Sequence, residues 1–372
     1  MQLRDRIKGS IFAGAAGDAL GYEVEFLRLG EIKKRFGQGG ITRFSSTPAK
    51  ISDDTQMTLF TANGLLYGYT MAINRGVMGE YRDYIWNAYR DWLFGQRGTF
   101  PEKRHCWIID EPAMCAQRAP GATCIEAIST SKSGGTIEKR INTSMGCGGV
   151  MRVAPVGLFL NPMNIYDEDT GAYVCRIGAQ SAALTHGHPL GYITSGCMAL
   201  LINILTYPEH YGKCSIKQAA IRSLEKTCDV FSDDAHSAQL KELLEKAIDL
   251  AESGMDDEDT IFTLGEGWIA HEALAVALYC AVKYENDPKR AIIAAVNHDG
   301  DSDSTGSIAG NIVGAYNGME AVNRAFDLSS IEAAGVIDEI SDDLAYAATQ
   351  SDYDADFESN EWADKYIFVK KR

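Results

Sequence analysis

The chain has 372 residues, 45% hydrophobic and 23% charged, and its 51 acidic side chains against 35 basic ones give a formal net charge of −16. That apolar content excludes a disordered chain, and the acidic balance argues against a general nucleic-acid binder, whose phosphate contacts need a basic surface. No run of about 18 apolar residues suggests a membrane span, and the opening MQLRDRIKGSIFAGAAGDALG has neither the apolar core nor the cleavage site of a signal peptide.

Taken in chain order, apolar periodicity predicts helices near 4–20, 53–72, 78–94, 171–184, 189–206, 215–228, 236–252, 268–284, 287–297, 304–322 and 330–347. Alternating patterns at Gly40–Phe44 and Trp107–Ile109 are too short to decide between strand and loop. No Pro-rich or Ser-rich linker divides the chain and no fixed-period repeat appears. The expected fold is all-α, a compact helical bundle in one domain over 1–372 with long loops of the kind that are usually functional. The acid is concentrated: 338–364 and 252–259 carry ten and five Asp or Glu and no Lys or Arg, which accounts for 15 of the 16 surplus charges. Both segments read as solvated surfaces. Nine cysteines (106, 115, 124, 147, 175, 197, 214, 228, 280) are scattered without a C-x-x-C, so they read as reduced thiols of a cytoplasmic protein and offer no zinc site.

Glycine makes up 36 of the residues, and its placement is ordered. Gly9, Ala13, Gly17 and Gly21 fall four apart in the first helix, and Gly306, Gly310, Gly314 and Gly318 repeat the spacing near the end. Each set lines one helical face with small residues, a seam along which another backbone can lie close. Glycine inside a helix costs about 1 kcal/mol relative to alanine, so these helices are expected deep in the molecule, packed on each other.

Two acidic knots stand at predicted helix starts: Ile51-Ser52-Asp53-Asp54-Thr55 and His298-Asp299-Gly300-Asp301-Ser302-Asp303-Ser304. Asp and Ser are ordinary N-cap residues, and Ser52 or Asp53 would cap the helix from 53. The second knot fails as an EF-hand, because Ser304 replaces the required glycine and Gly310 the closing glutamate. Capping needs one acid rather than two or three packed together. Asp53, Asp54, Asp301 and Asp303 would balance two divalent cations, and Mg²⁺, Mn²⁺ and Ca²⁺ prefer such hard oxygen ligands.

These residues belong to a larger ordered set. It comprises Gly14-x-x-Gly17-Asp18-Ala19-Leu20-Gly21 with Glu25-Phe26, then Ser52-Asp53-Asp54-Thr55-x-Met57, then Arg118-Ala-Pro-Gly121-Ala-Thr123. Gly146-Cys-Gly-Gly149-Val-Met-Arg152, Thr185-His186-x-His188-Pro189 and Gly300-Asp301-Ser302-Asp303-Ser304-x-Gly306 follow. Spread over about residues 5–320, the set resembles the ADP-ribosylglycohydrolase family. The resemblance implies a hydrolase that removes ADP-ribose from a protein side chain, arginine first, with serine-linked or O-acetyl-ADP-ribose as alternatives. An immunity protein against an ADP-ribosylating toxin and a non-catalytic ADP-ribose binder are readings from other classes.

By the same resemblance, Ser52, Asp53, Asp54, Asp301, Asp303 and Ser304 would hold two Mg²⁺ or Mn²⁺ ions, and Glu25 would serve as general acid or base. Gly121, Thr123, Gly146, Gly148, Gly149 and Met151 would line the substrate, with His186 near the distal ribose. Cys147 and Ala122 stand where many relatives carry Asn, on the substrate side, and Ser52 and Ser304 replace the commoner Thr. Asp18 reads as a structural hydrogen-bonding residue. The implied partner is an ADP-ribosylated protein or ADP-ribose derivative, with no nucleic acid and no membrane, and a monomer is favoured.

Overall fold

Eighteen α-helices and four short 3-10 turns make up the regular structure of the computed structural model, which describes residues 1–77, 79–165, 167, 169–350 and 360–369. The first half holds α1 (Leu3–Gly21), α2 (Leu29–Phe36), α3 (Asp53–Arg75), α4 (Tyr81–Gln96), α5 (Pro112–Cys115), α6 (Ala122–Thr130), α7 (Ala154–Phe159) and α8 (Thr170–Ala183). The second holds α9 (Pro189–Thr206), α10 (Pro208–Tyr211), α11 (Ile216–Val230), α12 (His236–Glu252), α13 (Asp257–Leu264), α14 (Ala270–Lys283), α15 (Pro288–Val296), α16 (Ser302–Ala325), α17 (Ala334–Thr349) and α18 (Asn360–Tyr366). Among the described residues there is no strand, only the isolated bridges Ala49–Ile331 and Gly146–Ile269.

The eleven helices expected from periodicity are present, with ends moved by four residues or fewer. Those not anticipated (α2, α5, α6, α7, α10, α13 and α18) run nine residues or fewer, too short to display a repeating apolar stripe. Of the two undecided patterns, Gly40–Phe44 is loop and Trp107–Asp110 is a 3-10 turn with Trp107, Ile108 and Ile109 buried.

The glycine seams meet along the axis of the fold. A Cβ on Gly17 would lie 2.0 Å from the Gly306 carbonyl oxygen, one on Gly310 2.1 Å from that of Ala13, and one on Gly314 2.1 Å from that of Gly9. The α1 and α16 backbones therefore touch, and this packing offsets the conformational cost of the glycines. The seam departs from expectation at Gly318, where φ is +76° and α16 kinks. Asp5 Oδ1 accepts from the Met319 amide freed there, at 3.0 Å. Around this axis one apolar cluster extends from Ile7 to Val369.

Two expectations need correction. Helix α9 does have the length and mean hydropathy of a membrane span, 1.4 over 18 residues, yet all of it is buried inside the protein. Asn203 within it is satisfied by the carbonyls of Gly157 and Leu160 at 2.8 and 2.7 Å. The acidic segments are also more than solvated surface. Asp257 accepts from Lys283, Tyr279 and Tyr284, while Asp338 and Asp342 pair with Lys8 and Asp342 with Arg4. Asp343 accepts from Lys365 and Tyr366. Residues 351–359 of the C-terminal acidic segment lie outside the described residues. All nine cysteines are free thiols.

Candidate metal centre and active site

The start of α3 is capped twice. Ser52 accepts from the Asp54 amide at 3.2 Å, and Asp18, reaching across from α1, accepts from the amides of Ser52 and Thr55 at 2.9 and 3.0 Å and from the Thr55 hydroxyl. Asp18 is thus committed to the helix start, in the structural role read from the sequence, and Asp53 and Asp54 are released from capping. Asp53 Oδ2 accepts from the Gly121 amide at 3.1 Å, so that N–H faces the acid cluster. Asp54 Oδ2 has no hydrogen-bond partner.

The seam delivers the second knot. A Cβ on Gly21 would lie 2.2 Å from the Ser302 carbonyl oxygen and 2.4 Å from the Asp303 Cα, so the end of α1 abuts the start of α16. Asp301 caps α16 by accepting from the Ser304 amide at 3.3 Å, and Asp303 accepts from the same amide at 3.0 Å. Gly300, at φ +131°, lets the Glu266 carbonyl oxygen approach to 2.0 Å from where a Cβ would sit. That oxygen accepts from the Asp301 amide at 2.8 Å and pins the loop before α14 to the knot.

One turn beyond Gly21, Glu25 joins Asp301 and Asp303, with one oxygen from each within 4.8 Å of the others. Glu25, Asp53, Asp54, Asp301 and Asp303 are all under a tenth exposed. Among the described residues none of the five pairs with Lys or Arg. Burial, then the neighbouring carboxylates, pushes Glu25 up to about 8 and Asp54 and Asp303 well above the usual carboxylate range. Burial also raises Asp53 to about 7 and Asp18 to about 6. Five buried acids without a cation, two of them with an orphaned oxygen (Glu25 Oε2 and Asp54 Oδ2), fit hard divalent cations.

The other expected residues are placed as follows. Ser304 Oγ lies 3.9 Å from Met151 Sδ, so Met151 packs on the acid cluster. Cys147, expected on the substrate side, has its thiol against Asp301 and Ser304, and burial raises it well above an ordinary thiol. Its amide donates to the Trp268 carbonyl at 3.2 Å, which ties the Gly146–Gly149 turn to the loop before α14. Cβ atoms on Gly146 and Gly148 would meet the His186 ring at 3.4 and 2.9 Å, whereas one on Gly149 would meet Ala182, making Gly149 a packing glycine against α8. Thr123 and Ser144 share a hydroxyl contact at 3.1 Å. Sequence reasoning gave no role to the rim, where exposed Phe26 and Trp268 stack at 6.3 Å and Arg28 bridges Glu266 and Asp299 at 3.3 Å. Glu25-Phe26 in the sequence was the one signal pointing there.

The structure sets a buried carboxylate cluster between helix starts in an all-α fold, and comparison with known proteins places the chain in a family. The chain belongs to the ADP-ribosylglycohydrolase family, whose model matches residues 1–354. It is 29% identical over 206 residues to ADP-ribosylhydrolase ARH3 of Bos taurus, a match covering 50% of this chain and 53% of that protein. The chain thus spans about half the length of the ARH3 relatives it matches. It is 23% identical over 327 residues, 86% of this chain and 88% of the relative, to the ADP-ribosyl-dinitrogen reductase glycohydrolase of Rhodospirillum rubrum. A solved structure described as an ADP-ribosylglycohydrolase-related protein complex has the same fold, with TM-score 0.58 and 19% identity over 93% of this chain and 99% of the other.

Proposed function

We propose that this protein is a divalent-metal-dependent hydrolase that cleaves the bond between ADP-ribose and a protein side chain, with ADP-ribosylarginine as substrate. The observation that carries this reading is the cluster of Glu25, Asp53, Asp54, Asp301 and Asp303, buried together without a cationic partner. Asp53, Asp54, Asp301 and Asp303, with the hydroxyls of Ser52 and Ser304, would hold two Mg²⁺ or Mn²⁺ ions. Bound ions of this kind supply charge neutralisation and Lewis acidity toward sugar hydroxyls.

The chain's own groups then have distinct tasks. Glu25, beside Asp301 and Asp303 but outside both helix caps, takes a proton from the attacking water as its oxygen adds to the anomeric carbon. The bond from that carbon to the guanidine nitrogen breaks, its electron pair leaves with the nitrogen, and the proton is returned there. Positive charge builds on the ribose in this transition state, and the surrounding carboxylates stabilise it. The Gly146–Gly148 turn and His186 form the wall available to the rest of the nucleotide. The arginine linkage is supported by the exposed Phe26–Trp268 stack at the rim, whose ring faces suit a planar cation, while Glu266 and Asp299 beside it already hold Arg28.

The test is to offer arginine-, serine- and O-acetyl-linked ADP-ribose to chelated protein, with and without added Mg²⁺ or Mn²⁺. Metal-dependent release from arginine alone is the expected result. Release from serine or O-acetyl substrates instead would move the substrate, and turnover in the presence of chelator would overturn the metal reading.

A further inference from the structure

Arg152 is fully buried, and among the described residues no carboxylate pairs with it. Its guanidinium lies 4.3 Å over the Tyr89 ring, its Nη1 reaches the sulfurs of Met57 and Cys124 at 3.5 and 3.2 Å, and its Nε has no partner. Among the described residues, the one strong acceptor it meets is the Thr185 hydroxyl, at 2.7 Å from Nη2. Burying a charge on such weak partners is costly, and a methionine or leucine would fill the same volume.

What the charge does is legible one residue further on. Thr185 Oγ1 is 2.8 Å from His186 Nδ1. Arginine can only donate, so Thr185 accepts from it, and the cation's field turns the hydroxyl hydrogen away from itself toward the Nδ1 lone pair. The thiol of Cys124, beside the same hydroxyl, is a much weaker acceptor. Burial and Arg152 hold His186 at about 3, so the ring is neutral at physiological pH and carries one hydrogen. With Nδ1 accepting, that hydrogen is on Nε2. The Nε2 edge faces the turn: Cβ atoms on Gly146 and Gly148 would come within 3.4 and 3.2 Å of it. Gly148 also neighbours Cys124, which neighbours Gly121 and hence Asp53, so the turn that this donor faces borders the carboxylate cluster.

We propose that Arg152 is a positioning residue which, through Thr185, fixes His186 as the Nε2–H tautomer, a hydrogen-bond donor to a hydroxyl or phosphate oxygen of the ligand above the Gly146–Gly148 turn. The ligand half of this inference rests on the ADP-ribosyl hydrolase reading; the tautomer half does not.

Long-range ¹H–¹⁵N correlation spectra of ¹⁵N-histidine-labelled, metal-free protein decide the tautomer, with the His186 signals assigned from H186Q. The wild type is expected to show neutral Nε2–H from pH 5 to 8. T185V and R152M are expected to populate Nδ1–H, and T185S to restore the wild-type pattern. Calorimetry with Mg²⁺ and ADP-ribose is expected to show affinity reduced about ten-fold in T185V and recovered in T185S, the scale of one oriented hydrogen bond. Nδ1–H or imidazolium in the wild type, or an unchanged tautomer in T185V, would overturn the relay even if R152M fails to fold. A switched tautomer with unchanged affinity would overturn its role toward the ligand. Absence of ADP-ribose binding by the wild type would count against the hydrolase reading, leaving the relay to be decided by the spectra.

Discussion

Asp303 and Glu25 are separable in function although one oxygen from each lies within 4.8 Å of the other. Asp303 sits in the first turn of α16, its Oδ1 accepting from Ser304 N, and one of its oxygens lies in the cluster. Asp303→Ala should abolish metal binding and turnover together, read by calorimetric titration with Mn²⁺ beside the hydrolysis assay; full activity of the variant in chelator would sink the metal reading. Glu25→Gln should keep metal binding and lower turnover by about 10²- to 10⁴-fold, the usual worth of a positioned acid–base group. Near-normal turnover with intact metal binding would reject the acid–base role and leave Glu25 as a ligand. Much of this was legible in the sequence because acid knots at helix starts leave more carboxylates than capping can use. Arg152 and Cys147 were not, because their significance depends on contacts with residues 33 and 154 positions away, which no local pattern records.

At the scale of elements, the four-residue glycine spacing was the strongest single clue, since it anticipated both the deep burial of α1 and α16 and their mutual packing. What it could not anticipate was the break at Gly318, which depends on Asp5 reaching the Met319 amide from the far end of the chain. The short helices were invisible for a related reason: a helix of two turns has no room to repeat its apolar face. The seam also predicts where alanine is tolerated. A Cβ on Gly310 would lie 2.1 Å from the Ala13 carbonyl oxygen and 2.5 Å from its carbon, backbone atoms that cannot rotate away. Gly310→Ala should therefore destabilise by about 3 kcal/mol or more, as overpacking of a rigid core does. Gly30→Ala, in the exposed helix α2 with nothing within 4 Å, should be neutral or stabilising by up to about 1 kcal/mol. Urea unfolding of the two variants measures both, and equal effects would show that the seam is not a close backbone contact.

For the whole molecule, the clustered acids couple folding to pH and, on the proposed reading, to metal. In chelated protein the buried carboxyls titrate high, with Asp18 at about 6, Asp53 at about 7 and Glu25 at about 8, and Asp54 and Asp303 are raised as well. In the unfolded chain the same groups titrate near 4. Between those limits the folded state holds carboxyl protons that the unfolded state has released, which lowers stability as pH rises. His186, His271, His188 and His298, held neutral by burial, oppose this up to about pH 6.5, where unfolded imidazoles lose their protons, so the net fall is expected from about 6.5 to about 8. The net charge of −16 adds little slope there, because the exposed carboxylates that make it up have already ionised near pH 4. On the proposed reading, divalent ions would bind only the folded, deprotonated cluster, so the stability they restore should grow as pH rises toward 8. Thermal unfolding in chelator should therefore show Tm declining from pH 6.5 to pH 8. Saturating Mg²⁺ or Mn²⁺ should flatten that decline, with a larger Tm increase at pH 8 than at pH 5.5. Sodium chloride at matched ionic strength separates this from screening of the net charge, since screening acts alike at both pH values. A chelated Tm that rises through the same interval, or a metal effect reproduced by sodium, would mean that the five carboxylates are not a cation site and that their burial is balanced in some other way.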